Sequence, residues 1–212
     1  MSNPKILNNI IQFLKDERAK LVLSNNSDDG RINSIQNEAE ILELLETKFK
    51  IEVPKVRAWY DFAIIDKDNN WYPVNIKVTN TKGNDNLSSK LGLYYALTGK
   101  QPDFKNELGW DKFFTKLKEN LVENSKDYFF LVVNKNENQD IFLNSLKQLK
   151  SLVPNGNNLP FQCHWNKNRI PQIRTFSESK KFLLESLGKS ITLRAKVYIH
   201  FKELFGEYLI GE

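Results

Sequence analysis

The spacing of apolar positions divides the chain into helices and strands. Ile6, Ile10, Phe13 and Leu14 recur at helical intervals behind Asn3-Pro4 and predict a first helix. A second helix is predicted over residues 32–48, beyond a polar loop at 25–31. Alternation over 56–65 and again over 71–79, joined by Asp66-Lys67-Asp68-Asn69-Asn70, predicts a β-hairpin. A polar loop at 81–86 leads to a helix over 87–98 that Gly99 ends, and a helix over 110–122 follows. The run Tyr128-Phe129-Phe130-Leu131-Val132-Val133 has the character of a central strand buried on both faces. A helix over 141–153, a loop over 154–160, an edge strand over 161–165 and two helices over 178–187 and 197–209 complete the reading. No repeat and no low-complexity linker interrupts the mixture. The expected class is α/β: one domain over 1–212, with a small mixed β-sheet flanked by helices.

The same alternation sorts the side chains of the hairpin. Ala58, Tyr60, Phe62 and Ile64 share one face, and Trp59, Asp61, Ala63 and Ile65 the other. On the second strand Val74, Ile76 and Val78 form an apolar face, opposite Asn75, Lys77 and Thr79. Pairing Ile65 with Trp71 sets Asp61 across from Asn75 and Trp59 across from Lys77. A slip of two residues sets Asp61 across from Lys77. Either register gathers Asp61, Asn75 and Lys77 on one face, with Cβ atoms ~5–8 Å apart. A carboxylate on so apolar a stretch requires a lysine, a metal or both. In the second helix Glu38 falls within the stripe Ile35, Leu42, Leu45 and Phe49, so it is expected to face the core and meet Asp61. Glu40 and Glu43 are expected to be solvated. Two carboxylates, an amide and a lysine suit Mg²⁺, a hard cation that takes oxygen ligands. The same set also suits a structural ion cluster holding helix to sheet.

Composition narrows the chemistry. The chain has 212 residues, 40% of them apolar and 27% charged, enough for a substantial core. A single cysteine, Cys163, excludes an internal disulfide framework and a cysteine-based zinc site, and is expected to be a small core residue. Two histidines, His164 and His200, exclude a site built on several imidazoles. No apolar run approaches the ~18–20 residues of a membrane span, and no signal-type apolar stretch is visible near Met1. No membrane partner is expected, and the expected compartment is the cytoplasm. The net charge of +5 is uneven. Residues 164–202 hold nine Lys or Arg against Glu178 and Glu185, whereas residues 1–163 balance 22 bases against 21 acids. A basic C-terminal third beside a neutral body points to a polyanion, most simply nucleic acid.

With these residues in view, the chain resembles the PD-(D/E)xK nucleases, in particular type II restriction endonucleases. The resemblance rests on Tyr60-Asp61, thirteen intervening residues, then Asn75-Ile76-Lys77. Tyr60 stands where the pattern has Pro, and Asn75 where it has an acid. A subset of restriction enzymes carries Asn or Gln at the second place, with a helix Glu supplying the carboxylate. Gln36-Asn37-Glu38-Ala39-Glu40-Ile41 resembles that helix, and residues 73–80 and 85–99 resemble the strand and segment that follow. Residues 32–100 carry the likeness, which implies a restriction-endonuclease-like nuclease core over about 32–135 and a basic DNA-contacting region over about 155–205.

The implied activity is Mg²⁺-dependent, site-specific hydrolysis of phosphodiester bonds in double-stranded DNA. Asp61, Glu38, Asn75 and the Ile76 carbonyl would ligate one Mg²⁺, and Lys77 would position water and stabilise charge on the phosphate. The implied DNA contacts are Lys82, Asn84, Ser88, Ser89 and Lys90 along the phosphate track, with Arg169, Arg174 and Arg194 reading bases. A palindromic target favours a homodimer, and a restriction role implies a cognate DNA methyltransferase as genetic partner. Two alternatives stay open: a repair or mobile-element nuclease on the same core, and a non-catalytic DNA-binding protein with a degenerate core.

Overall fold

The computed structural model describes residues 4–23, 30–55, 58–87, 89–104 and 109–209. In chain order the elements are α1 (Lys5–Asp16), α2 (Gly30–Glu46), β1 (Ile51–Glu52), β2 (Phe62–Ile65), β3 (Trp71–Thr79) and β4 (Asn84–Leu87). There follow α3 (Lys90–Thr98), α4 (Trp110–Asn120), β5 (Phe129–Asn134), β6 (Ile141–Ser145), β7 (Phe161–His164) and α5 (Phe176–Phe205). A five-stranded mixed sheet has the order β1-β2-β3-β5-β6, parallel between β3 and β5 and antiparallel elsewhere. β4 and β7 form a separate antiparallel pair.

Two apolar cores lie on opposite faces of the large sheet. Leu7, Ile10 and Leu14 of α1 and Ile41 and Leu45 of α2 pack with Phe62, Val74, Ile76, Leu131 and Leu143. Leu93 and Leu97 of α3, Phe113 and Leu117 of α4 and Leu183 and Leu187 of α5 pack with Tyr128, Phe130, Val132, Phe161 and Trp165. Successive residues of β5 therefore serve different cores, which is why that strand reads as an unbroken apolar run. The hairpin follows the first expected register, with Ile65 opposite Trp71 and Phe62 opposite Val74. Its turn is closed by Asp66, whose Oδ1 accepts from the N–H groups of Asp68 and Asn70 at 2.8 and 2.9 Å. Gly99 ends α3 in the left-handed region, φ 67°, with its N–H on the Tyr95 carbonyl at 2.8 Å.

Several elements depart from the sequence reading. Ile141–Ser145 is a strand, not the start of a helix. Phe142, Leu146 and Leu149 share one core at intervals of four and three, which imitates helical spacing, but antiparallel pairing with β5 decides the backbone. The polar loop at 81–86 contains most of β4, and the strand at 161–165 pairs with it rather than edging the large sheet. The two last helices are one, thirty residues long, opened by a capping box of Thr175 and Glu178. The strand expected over 56–65 forms only from Phe62 to Ile65. Residues 56 and 57 lie outside the described residues.

Candidate active site

The site forms where β2 begins. Asp61 extends the ladder by one bond, its N–H donating to the Val74 carbonyl at 2.9 Å. Asp61 then turns its carboxylate back across β3. Oδ2 accepts from Asn75 Nδ2 at 2.8 Å and from the Ile76 N–H at 2.6 Å. The N–H and C=O of one strand residue point to the same edge. The Ile76 carbonyl therefore lies on the edge that Asp61 occupies, where β2 no longer covers it. Lys77 follows on the Asn75 face and donates from Nζ to the Asn86 carbonyl of β4 at 3.2 Å.

α2 packs over the opposite face of β3. Its buried line is Asn37, Ile41 and Leu45, while Ile35 is 67% exposed. Glu38 thus stands at the margin of the buried face and not at its centre, half-buried, with Ser34 Oγ donating to Oε1 at 2.9 Å. From that margin its charge still reaches Asp61. Burial pushes the Asp61 carboxyl up to about 6 from the usual 3.8; the Ile76 N–H works against this, Glu38 adds to it and Lys77 opposes it. Glu38 and Lys77 therefore both lie within electrostatic reach of Asp61. Glu40 is not a merely solvated acid: it accepts from the backbone N–H groups of Val22 and Leu23, the latter at 3.0 Å, and fastens the segment after α1 onto α2.

Tyr128 is a site residue that the sequence reading passed over. Its buried hydroxyl donates to the Trp59 carbonyl at 2.6 Å, two residues before Asp61. Burial and the Asp61 charge raise its pKa well above 10. Trp59 packs against Tyr60, Trp71, Tyr95 and Tyr128 at centroid distances of 5.2–5.8 Å. This cluster replaces the strand expected at 58–61 and keeps Trp59 from standing across from Lys77. The one signal for it is a tyrosine opening an otherwise apolar strand, whose hydroxyl needs a partner once buried.

The donor set suits one hard cation. Asp61 and Glu38 are carboxylates whose charges disfavour each other, and the Ile76 carbonyl shares their edge. Asn75 gives its Nδ2 to Asp61, so it orients the carboxylate instead of offering an oxygen to the same point. Among the described residues no group of three or more His, Cys, Asp or Glu gathers, so a cation here needs the carbonyl and water to complete its shell.

The expected DNA contacts divide. Lys82 and Asn84 are exposed beside the site, at the entry to β4. Ser88 lies outside the described residues. Ser89 is 2% exposed and its hydroxyl lies against the Leu87 carbonyl at 3.4 Å, which takes it off any DNA-facing surface. Lys90 lays its ammonium over the Trp110 ring, 4.0 Å from the centroid, and burial lowers its pKa. Arg169 forms a two-pronged ion pair with Asp140 and also bonds Thr81 and Asn166. Arg174 donates to the Leu149 carbonyl at 2.8 Å and lies over Phe182. Both guanidiniums brace loops from within the chain. Arg194 donates to the Gly156 and Asn157 carbonyls at 2.7 and 2.8 Å and lines a cleft of about 210 Å³ that also holds Asn86, the partner of Lys77. Cys163 is buried, as expected, and burial pushes its thiol up. Among the described residues no helix is long and apolar enough to cross a membrane. Comparison with protein-family models and with curated protein sequences returns no match.

Proposed function

We propose that the chain is a Mg²⁺-dependent, site-specific endodeoxyribonuclease, a type II restriction enzyme on the PD-(D/E)xK core. One observation carries the reading. Asp61 is gripped at the end of a sheet edge by Asn75 and the Ile76 N–H, with Lys77 next on the same face and the Glu38 charge acting on it from α2. A cation held by Asp61, Glu38 and the Ile76 carbonyl would supply Lewis-acid polarisation of a phosphate oxygen and an acidified water. Asn75 fixes the Asp61 rotamer and so sets where the carboxylate points. Lys77 orients the attacking water and balances the charge that grows on the phosphate. Lys82 and Asn84 flank the approach of the backbone, and double-stranded DNA is the partner.

A DNA-binding protein with a structural cluster at this place is the second reading. It is favoured by the Lys77 ammonium, which donates to the Asn86 carbonyl and so has a structural partner within the chain. Digestion of plasmid and phage DNA with and without Mg²⁺, beside Asp61→Ala and Lys77→Ala, separates the readings. Discrete fragments, lost in EDTA and in both variants, support the restriction enzyme and imply a protecting methyltransferase in its host. A smear supports a repair or mobile-element nuclease. Intact DNA under every condition leaves the structural cluster.

A further inference from the structure

The β4–β7 pair turns a polar face outward beside the candidate site. Cross-strand partners Asn84 and His164, and Asn86 and Gln162, share one side of this ribbon. On the other side Leu87, Phe161 and Cys163 are at most 1% exposed, and Asp85 accepts from Trp165 Nε1 at 2.6 Å. The outward face therefore carries two exposed asparagines and a half-buried glutamine and histidine. None of the four is a lysine or arginine, so the face is poorly matched to phosphate, which is bound by cations. Cations stand instead at its ends. Lys82 before β4 and Lys167 after β7 are exposed at one end, and Arg194 lines the cleft with Asn86 and Leu87 at the other. A ribbon of amides between cations suits the major groove, which admits two antiparallel strands and presents base edges between phosphate tracks.

We propose that the outward face of the β4–β7 ribbon enters the major groove and that Gln162, held by Asn86, reads an adenine. The inference rests on the proposal above that double-stranded DNA is the partner. The backbone of Gln162 is fixed on both sides, because beyond β4 it exchanges bonds with Val153 at 2.7 and 2.9 Å. Its amide is fixed too: Nε2 spends one N–H on Asn86 Oδ1 at 2.7 Å. The second N–H and Oε1, a donor and an acceptor side by side, have no partner among the described residues. Adenine shows the complementary pair in the major groove, an acceptor at N7 beside a donor at N6. Guanine shows two acceptors there and would set one of them against Oε1. Asn86 acts through Gln162 and is a positioning residue. Its carbonyl also receives Lys77 Nζ at 3.2 Å, which ties the reading face to the candidate catalytic strand.

The test is selection of a randomised duplex pool by the full chain in Ca²⁺, then incubation of the same pool in Mg²⁺, with circular dichroism as a control for folding. The selected duplexes should share an adenine at one position. Gln162→Ala should flatten the preference at that position roughly tenfold or more, with the other positions and the salt dependence unchanged. Gln162→Glu offers acceptors alone and should move the preference toward cytosine, whose N4 is a donor. Asn86→Ala should weaken the adenine preference without changing the base preferred. Lys82→Ala should instead lower the salt slope by about one and keep the preference. Wild-type binding with no sequence preference overturns the proposal. So does a preference that both Gln162 variants leave intact while folded, even where Mg²⁺ brings discrete cleavage and the nuclease reading stands. An adenine preference that follows Gln162 without any cleavage in Mg²⁺ upholds this proposal and refutes the nuclease reading alone.

Discussion

Gly92 tests the link between the core and the site. A Cβ at this position would stand 2.5 Å from Tyr128 Cδ1 and 2.7 Å from Cγ and Cε1, well inside contact distance. The ring has no room to retreat, since Phe130 and Trp59 pack against it at 5.2 and 5.6 Å. Overpacking of this kind costs ~3 kcal/mol at the upper end. Displacing the ring also breaks the bond from its hydroxyl to the Trp59 carbonyl, worth about 1 kcal/mol. Alanine returns up to ~1 kcal/mol through its helix propensity. Gly92→Ala should therefore lose about 3 kcal/mol, a fall of roughly 6–12 °C in Tm for a chain of this size. Urea and thermal unfolding measure it. Shrinking the ring in Gly92→Ala/Tyr128→Leu should recover part of the loss that the two single variants add up to, because the clash is then gone. If Gly92→Ala is as stable as the wild type, or the two changes are additive, the contact between Gly92 and Tyr128 does not hold that part of the structure. On the proposed nuclease function, cleavage should also fall more than the folded fraction does, because Trp59 precedes Asp61 by two residues.

Three further predictions concern charge. In EDTA, Asp61→Asn should be more stable than the wild type above pH 6 and equal to it below pH 4, read by urea unfolding across that range. An acid whose folded pKa is raised costs nothing where it is protonated in both states and its full penalty where it is ionised in both; 3.8 against about 6 sets a ceiling of about 3 kcal/mol. A difference that ignores pH would mean Asp61 carries no burial penalty. Asn75→Asp removes the donor to Asp61 and adds a like charge beside it; without metal it should lose about 1–3 kcal/mol and regain more on adding Mg²⁺ than the wild type does, by differential scanning fluorimetry. Arg169→Met leaves the half-buried Asp140 without its pair and should cost about 1–3 kcal/mol by thermal unfolding, with no change in the salt dependence of DNA binding.

The elements the sequence revealed are those whose pattern has a single physical source. β3 reads correctly because from Val74 to Thr79 apolar and polar residues alternate without interruption, so period two is plain there. The run at 128–133 reads as a strand because both faces are buried. β6 was hidden because Phe142, Leu146 and Leu149 line one core across a strand and the turn after it, and that happens to match a helix. β4, Asn84-Asp85-Asn86-Leu87, has almost no apolar content. Its partner β7 and the Trp165 Nε1–H on Asp85 Oδ2 at 2.6 Å hold it, and both lie some eighty residues away. Non-local bonds of that kind leave no local trace.

The site divides along the same line. Asp61, Asn75 and Lys77 were legible together because a five-residue turn with Asp66 at its head fixes the hairpin register, and register fixes faces. The direction of the Asn75 amide was not legible. Residue type allows an oxygen toward a cation or a nitrogen toward a carboxylate, and only the position of Asp61 relative to the Ile76 N–H decides between them. That choice changes the chemistry assigned to the position. Compared with a carboxylate at the same place, a donor amide carries one negative charge fewer and adds one bond that favours ionised Asp61. It thereby offsets part of the burial penalty that Glu38 makes worse. An amide at 75 therefore keeps the cluster around Asp61 at fewer charges than a carboxylate there would. It follows that Asn75→Asp and Glu38→Gln should compensate each other in the metal-free protein, each like charge added at 75 being balanced by one removed at 38.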